Sequence, residues 1–176
     1  MGTRRSGIEG RGVGLAVVAL LAAGLAPATA SARDTRDIRI EDRCDPVTFN
    51  AAGVPGGCLG DGNVTLDELL ASANPDDRGH RAWRFSREET DLKRGQALVV
   101  DNVGGEVHTF TEVEAFGQGV VPFLNGAVPE TTPAVPIGDP HELAQGDRLT
   151  FRSLTRGTHR FQCLIHPWMR STVTQR

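Results

Sequence analysis

The 176-residue sequence has no surplus of basic residues: 19 lysines and arginines stand against 22 aspartates and glutamates, and the formal net charge is −3. Proteins that bind nucleic acids usually present a basic face, so this balance argues against a nucleic-acid partner. The sequence also lacks an apolar run of about 20 residues, the length that a membrane-spanning helix needs. Its apolar run at residues 13–26 is too short, and we expect no membrane span in the mature protein.

The first 32 residues have the composition of an export signal. Three arginines precede the apolar run, and small residues follow it at positions 27–32. A basic start, an apolar centre and a small-residue cleavage site predict a signal peptide over residues 1–32. The pair Arg4-Arg5 leaves the choice between the general secretory and the twin-arginine route open. We therefore expect an exported protein, either periplasmic or extracellular.

Cysteine is scarce, with three residues in the whole chain. Cys44 and Cys58 bracket a stretch rich in glycine and proline, and exported proteins meet an oxidising environment, so we predict a Cys44–Cys58 disulfide. Closing a loop of this size stabilises a fold by about 3 kcal/mol. Cys163 is left without a partner, and an unpaired thiol in an exported protein calls for a functional explanation.

Residues 33–80 are predicted to form an N-terminal extension with one helix, because Thr65 and Glu68 have the spacing of a capping box. Short alternating segments separated by glycines then predict an all-β domain, a sandwich or barrel, over residues 81–176. The span 114–142 is rich in glycine and proline and is predicted to be a long functional loop. The strand candidates are residues 83–86, 96–103, 106–113, 147–153, 158–163 and 170–174.

The segment Asp61–Glu68 resembles the second half of an EF-hand calcium loop. In that alignment the first and third ligand positions fall on Gly57 and Leu59, which offer no carboxylate. A turn followed by a capped helix explains the same residues, so calcium binding here is left open.

Methionine is as scarce as cysteine, and its position is informative. Apart from the initiator, the one methionine is Met169, which follows Cys163 by six residues with His166 midway. Thiolate and imidazole are strong copper ligands, and a thioether is a weak, soft one. A trigonal copper site with two histidines needs one more imidazole, and His108 at the start of a predicted strand supplies it. The predicted metal ligands are thus His108, Cys163, His166 and Met169.

These motifs are similar to those of the cupredoxins, the single-domain blue-copper proteins. The spacing Cys-x-x-His-x-x-Met at 163–169 resembles the short ligand loop of amicyanin-like members, and Asn102 to His108 resembles the upstream copper-binding region. The resemblance covers about the last 96 residues. It implies a plastocyanin- or amicyanin-like Greek-key β-sandwich that holds one type 1 copper ion.

Zinc is the main alternative metal, although it prefers a carboxylate or a second cysteine to methionine, and the ligand loop has no acidic residue. Among the other histidines, His159 lies four strand residues before Cys163, about 13 Å away, and is expected to be structural. His141 and His80 are expected at the surface.

A metal with every coordination position filled leaves no place for a substrate, so we expect no enzyme activity. The sequence predicts a one-electron carrier between redox proteins, and the alternative is a copper-binding protein for storage or delivery. An apolar patch of Leu164, Pro167 and Trp168 around a partly exposed edge of His166 is the predicted docking site for a redox partner. We expect a monomer.

Overall fold

Ten short strands and two helices make up residues 34–176, the part of the chain that the computed structural model describes. The predicted signal peptide at residues 1–32 lies outside the described residues. The strands are β1 Thr35–Glu41, β2 Arg84–Phe85, β3 Glu89–Leu92, β4 Ala97–Asn102, β5 His108–Thr109, β6 Thr111–Val113, β7 Glu142–Leu143, β8 Arg148–Phe151, β9 Gly157–Gln162 and β10 Arg170–Gln175. The helices are α1 Pro46–Ala51 and α2 Leu66–Ser72, and a 3-10 helix spans Pro122–Ala127.

The strands form two four-stranded sheets and one two-stranded ribbon. The first sheet has the order β2-β1-β4-β8, the second has the order β3-β10-β9-β6, and β5 pairs with β7. The pairs β1–β4 and β3–β10 are parallel, and the other pairs are antiparallel. Two sheets enclosing one apolar core confirm the predicted all-β sandwich class. Within residues 34–176, no helix has the length and apolarity to cross a membrane.

The core is built from side chains of both sheets. Ile38 and Leu98 of the first sheet and Val173 of the second are fully buried in one cluster. Phe110 stacks on Phe161 with ring centroids 4.4 Å apart. Residues that alternate along a strand point to opposite faces, which explains why the intervening polar side chains face outward. This packed layer lies directly below the segments that carry the predicted metal ligands, because Phe110 and Phe161 stand two positions from His108 and Cys163.

The N-terminal segment has the predicted disulfide and the predicted helix. Cys44 and Cys58 are bonded, and Thr65 caps α2 in a reciprocal capping box with Glu68. Helix α1 was not predicted: Asp45 caps it by accepting from the backbone of its first turn, and proline stands at its first position, where no hydrogen-bond donor is needed. The segment therefore has two helices rather than one.

Strand β1 is a further difference from the sequence analysis, which predicts no strand before residue 81. It lies between β2 and β4 in the interior of the first sheet, with Ile38 and Ile40 in the core. Two apolar residues among charged ones are a weak local signal, and the parallel pairing with β4 stabilises the strand. Residues on both sides of the proposed boundary at 80/81 thus share one sheet.

Most other strand predictions agree with the structure to within a few residues. The predicted strand at 106–113 is divided into β5 and β6, and the short strands β3 and β7 were missed. The span 114–142 is largely irregular, as predicted, but it contains the 3-10 helix and two isolated bridges, Val113–Pro136 and Gln118–Pro133. The first bridge ties the span to β6, and the second joins two parts of the span itself.

Candidate metal centre

His108 begins β5, immediately after a turn that contains Gly104 and Gly105. The Asn102 side chain shapes this turn: its Oδ1 accepts from the amide of Gly104 at 3.0 Å, and its Nδ2 donates to the carbonyl of Glu106 at 2.8 Å. Gly105 packs against the disulfide so closely that a Cβ would lie 2.5 Å from Sγ of Cys44. The turn therefore requires glycine, and it places the His108 ring inside the molecule.

The second part of the centre is the loop between β9 and β10, as the sequence predicts. Cys163 directly follows β9, and Met169 directly precedes β10. The amide of Cys163 donates to the carbonyl of Met169 at 3.0 Å, and the amide of Met169 donates to the carbonyl of His166 at 2.9 Å. These two bonds close the loop and fix the relative positions of Cys163 and His166.

Three predicted ligands come together in a buried triangle. Sγ of Cys163 lies 3.8 Å from Nδ1 of His108 and 3.8 Å from Nδ1 of His166. The three potential ligand atoms all lie within 4.8 Å of one another. The side chains of His108, Cys163 and His166 are at most 2% exposed. His108 and Cys163 are 55 residues apart, and the fold brings them together.

The triangle has the dimensions of a three-coordinate metal site. Zinc, a first-row ion of similar size to copper, makes bonds of about 2.3 Å to thiolate and about 2.0 Å to imidazole. With an angle near 120° between them, such bonds separate sulfur and nitrogen by about 3.7 Å. The observed 3.8 Å separations therefore fit a metal ion bound by the sulfur and the two ring nitrogens.

The surroundings of Cys163 favour a thiolate. Burial alone would raise the pKa of this thiol, but hydrogen bonds and the positive charges of His108 and His166 outweigh it and hold the pKa well below its ordinary value. The amides of Thr109 and His166 also point at Sγ, each at 3.4 Å. The sulfur is thus held in place and in the state in which it binds metals.

A buried carboxylate, Asp42, orients the His108 ring from behind. Nε2 of His108 donates to Oδ2 of Asp42 at 2.9 Å, which leaves Nδ1 facing Cys163. Burial lowers the pKa of His108, but the bonds to Asp42 and Cys163 raise it by more, to about 9. Burial likewise opposes ionisation of Asp42, yet its bond to His108 lowers the pKa to about 2. Carboxylate–histidine–metal arrangements fix the ring and strengthen the ligand.

A second buried carboxylate, Glu106, lies behind His166. Its Oε2 is 3.7 Å from Nε2 of His166 and accepts a 2.6 Å hydrogen bond from the Trp83 indole. Burial raises the pKa of Glu106, although the neighbouring His166 and Trp83 oppose that shift. Both candidate histidine ligands therefore have a carboxylate near the ring nitrogen that faces away from Cys163.

Sequence reasoning missed both carboxylates. Asp42 stands 66 residues before His108, and only the parallel pairing of β1 with β4 brings it near the turn. Glu106 carried a weak local signal, since residues two apart on an extended chain share a face and it precedes His108 by two.

Met169 is 1% exposed and is fixed through its backbone. Its predicted role as an axial ligand stays a prediction.

The residues of the predicted docking patch are more buried than the sequence suggested. Leu164 and His166 are only 6% and 2% exposed, Pro167 is buried, and Trp168 is half-buried. The Trp168 indole packs edge-on against His166 and donates to the carbonyl of Trp83 at 3.1 Å. These side chains cover the His166 ring and do not form a free surface.

An apolar groove of about 260 Å³ reaches His166 instead, and much of its lining comes from the N-terminal segment and the 3-10 helix. Phe123 and Leu70 are its exposed rim, at 67% and 39%. The remaining lining includes Phe49, Val54, Pro55, Leu66, Leu69, Val121 and Ile165.

The other histidines lie outside the centre. His159 is buried between Glu112, at 2.7 Å, and the carbonyl of Thr155, at 2.8 Å, which agrees with a structural role. His141 is exposed as predicted, whereas His80 is half-buried. In the calcium-like segment, Oε2 of Glu68 accepts two bonds from Thr65 of the capping box. A helix cap thus accounts for the residues that resembled a calcium loop.

No known family model and no curated protein matches the chain. Among solved structures, a purple cupredoxin from Nitrosopumilus maritimus is similar at 14% identity over 80% of this chain and 98% of its own, with a TM-score of 0.42. A Cu(I) form of an amicyanin mutant is similar at 16% identity over 53% of this chain and 73% of its own, with a TM-score of 0.37. The function proposed below rests on the side chains of the centre itself.

Proposed function

We propose that the protein is an exported, mononuclear type 1 copper protein that carries single electrons between redox partner proteins. The buried triangle of His108 Nδ1, Cys163 Sγ and His166 Nδ1 is the observation that carries this proposal. The two histidines and the cysteine would hold the ion, and Met169 would contribute a weak thioether ligand. No catalytic role is proposed for any residue.

The donor set favours copper over zinc. One thiolate, two imidazoles and a thioether match the preferences of copper, whereas zinc more often takes a carboxylate or another thiolate. The two nearest carboxylates, Asp42 and Glu106, face the outer nitrogens of the histidines rather than the triangle. They are placed to orient ligands and not to replace them.

Electron transfer is supported by the way in which the chain restrains the ligands. Bound copper would supply a one-electron couple between Cu(II) and Cu(I). Thr109 and His166 amides restrain the sulfur, Asp42 restrains the His108 ring, and the closed 163–169 loop restrains His166. Ligands held this firmly change little in position when the charge of the site changes. The burial of all three side chains also keeps water away from the sulfur.

Export is supported by the predicted signal peptide and by the Cys44–Cys58 disulfide, since disulfides persist in oxidising compartments.

The test is a visible absorption titration of the mature protein with Cu(II), followed by ascorbate and then an oxidant. We expect an intense thiolate-to-copper band at one equivalent, bleached by reduction and restored by reoxidation. Cys163→Ser should abolish the band. The matched control, Cys44→Ala with Cys58→Ala, removes the other two cysteines and should keep it.

Two results would count against the proposal. Copper that binds without an intense band would exclude Cys163 as a ligand in this geometry. A colourless copper complex that passes its ion readily to a chelator would instead support storage or delivery.

A further inference from the structure

An arginine-lined cleft of about 670 Å³ lies beside the metal centre, at the end of β1. We call it the arginine cleft, after Arg39, Arg43, Arg81 and Arg84 on its walls. All four arginines are exposed. The cleft is also lined by Asp42, by His80 and by the half-exposed side chain of Val103. It is separate from the apolar groove at His166.

The cleft carries uncompensated positive charge. Glu41 lies between two of its arginines, 3.7 Å from Arg39 and 2.6 Å from Arg84. Arg43 and Arg81 make no ion pair with any residue of the described part of the chain. The sequence as a whole is acidic, with 22 aspartates and glutamates against 19 lysines and arginines. The cleft is therefore a local basic surface on an acidic molecule.

The cleft is connected to the metal centre by short contacts. Asp42 is part of its wall, and the Asp42 carboxylate accepts the 2.9 Å hydrogen bond from Nε2 of His108. The same residue is bonded through the backbone to Arg43. A molecule seated in the cleft would be separated from a candidate ligand by one residue and one hydrogen bond.

We propose that the arginine cleft docks an acidic surface of the redox partner protein, and that electrons pass through Asp42 and His108. This inference rests on the proposed electron-transfer function. Charge complementarity is the argument for the occupant: two exposed arginines without ion pairs fit carboxylates on a partner. The His166 ring is only 2% exposed and packs against Trp168, so the partly exposed edge that the sequence suggested is absent.

The kinetic test compares two oxidants of opposite charge on the reduced copper protein. The anionic probe is hexacyanoferrate(III), and the cationic, aromatic probe is tris(phenanthroline)cobalt(III). In each reaction the protein loses one electron, and the iron(III) or cobalt(III) of the probe gains it. The variant Arg43→Glu with Arg81→Glu reverses two charges at the cleft.

A matched control reverses two exposed arginines at the opposite end of the sandwich, Arg152→Glu with Arg156→Glu. Arg156 precedes β9, and Cys163 follows its other end, so about 20 Å of strand separates the control site from the metal centre. Both variants change the net charge equally. Any difference between them therefore reports on position and not on total charge.

At low ionic strength we expect the cleft variant to react about tenfold more slowly with hexacyanoferrate(III) than the control variant does. The reaction with the cationic cobalt probe should not be slowed, and added salt should shrink the difference. Equal slowing in both variants would mean that only net charge matters and would overturn the inference. Fast reaction of the cationic probe that depends on Phe123 and Leu70 alone would assign docking to the apolar groove.

A second measurement tests anion binding at the arginine cleft even if the proposed function fails. Hexacyanochromate(III) is a redox-inert, paramagnetic anion that broadens the NMR signals of nearby residues, and it can be added to the copper-free protein. We expect selective broadening at Arg43, Arg81 and His80, lost in the cleft variant. If this broadening is present but the blue band is absent, the proposed function is refuted and the docking site for anions is retained. Broadening spread evenly over the surface would refute the docking site.

Discussion

At the scale of single residues, each candidate histidine ligand has a buried carboxylate on the side away from Cys163. Asp42 is hydrogen-bonded to His108, and Glu106 lies near His166. A negative charge behind an imidazole raises its strength as a donor, and a stronger donor favours Cu(II) over Cu(I). The reduction potential of the copper site should therefore depend on residues that do not touch the metal.

Asp42→Asn tests this dependence, because it keeps a hydrogen-bond acceptor behind His108 and removes the charge. We expect the Cu(II) affinity to fall by about 10- to 100-fold. If Cu(I) binding changes little, the reduction potential should rise by about 59 mV for each tenfold loss. Competition with a chelator and spectroelectrochemistry measure the two quantities.

The control for this substitution is Glu112→Gln. Glu112 accepts a 2.7 Å bond from His159, which is also buried but is no ligand. The Glu112→Gln substitution should leave both the Cu(II) affinity and the reduction potential unchanged. An Asp42→Asn protein with the wild-type potential would show that Asp42 serves folding alone.

At the scale of elements, the disulfide cross-links the two ends of the segment that contains helix α1. Cys44 and Cys58 close a loop of 14 residues around α1, and the amide of Leu59 donates to the carbonyl of Gly105 at 2.9 Å. The disulfide thereby supports the turn that precedes His108. Because a cross-link restricts the unfolded chain, its loss should act on stability first and on the metal site second.

Cys44→Ala with Cys58→Ala should lower the free energy of unfolding by about 3 kcal/mol. Urea unfolding of the copper-free protein measures this loss, and the blue band of the folded variant should persist after copper is added. A loss well below 1 kcal/mol would mean that packing alone holds the helices.

The long span 114–142 is tied to the ligand loop by an ion pair. Glu130 accepts bonds of 3.0 Å and 2.8 Å from the Arg170 guanidinium, whose Nε donates to the carbonyl of Pro167 at 2.8 Å. These bonds from Arg170 lower the pKa of Glu130 below its ordinary 4.5. A lowered carboxyl pKa stabilises the fold above the ordinary pKa, and this stabilisation is lost as the pH falls through the lower folded value.

Glu130→Gln should therefore cost about 1 kcal/mol or less at pH 7, where Glu130 is ionised in the native protein. The difference from wild type should shrink at acidic pH, as the pH falls through the lowered pKa of folded Glu130 and the carboxyl becomes protonated in both states. Urea unfolding at the two pH values gives the comparison. Glu114→Gln is the control in the same span, and a pH-independent cost for Glu130→Gln would assign the effect to packing.

At the scale of the whole molecule, contacts from both sheets position the side chains of the metal centre. The ligand side chains are fixed by Asp42, by backbone amides and by the packed rings of Phe110 and Phe161. The first sheet positions Asp42 and the second carries Cys163 and Met169 at the ends of β9 and β10. Both sheets therefore contribute residues that position the candidate ligands.

Copper removal should consequently leave the fold intact. We expect unchanged far-ultraviolet circular dichroism after the ion is extracted, a lower midpoint of thermal unfolding, and full recovery of the blue band when Cu(II) is returned. Circular dichroism and a thermal scan of the two forms check this. Loss of the β signal in the copper-free protein would mean that the ion, rather than the side-chain contacts, organises the centre.

The sequence alone was sufficient for features that depend on neighbouring residues. Cys163, His166 and Met169 lie within seven positions, the Thr65 cap needs only Glu68, and the disulfide closes a short loop. Strand β1 was not predicted, because two isoleucines among charged residues give a weak local pattern that becomes stable only in the sheet.

Only the tertiary structure decided which side chains contact the candidate ligands and which surfaces are exposed. Asp42 is 66 residues from His108 and is brought near it by the parallel pairing of β1 and β4, and the His166 ring packs against Trp83 from a distant segment. The prediction of His166 and Met169 as ligands beside Cys163 rests on their spacing, which a sequence contains directly. The burial of the ligands, the carboxylates that contact them and the arginine cleft depend on how separate segments pack together. That packing is a property of the whole fold.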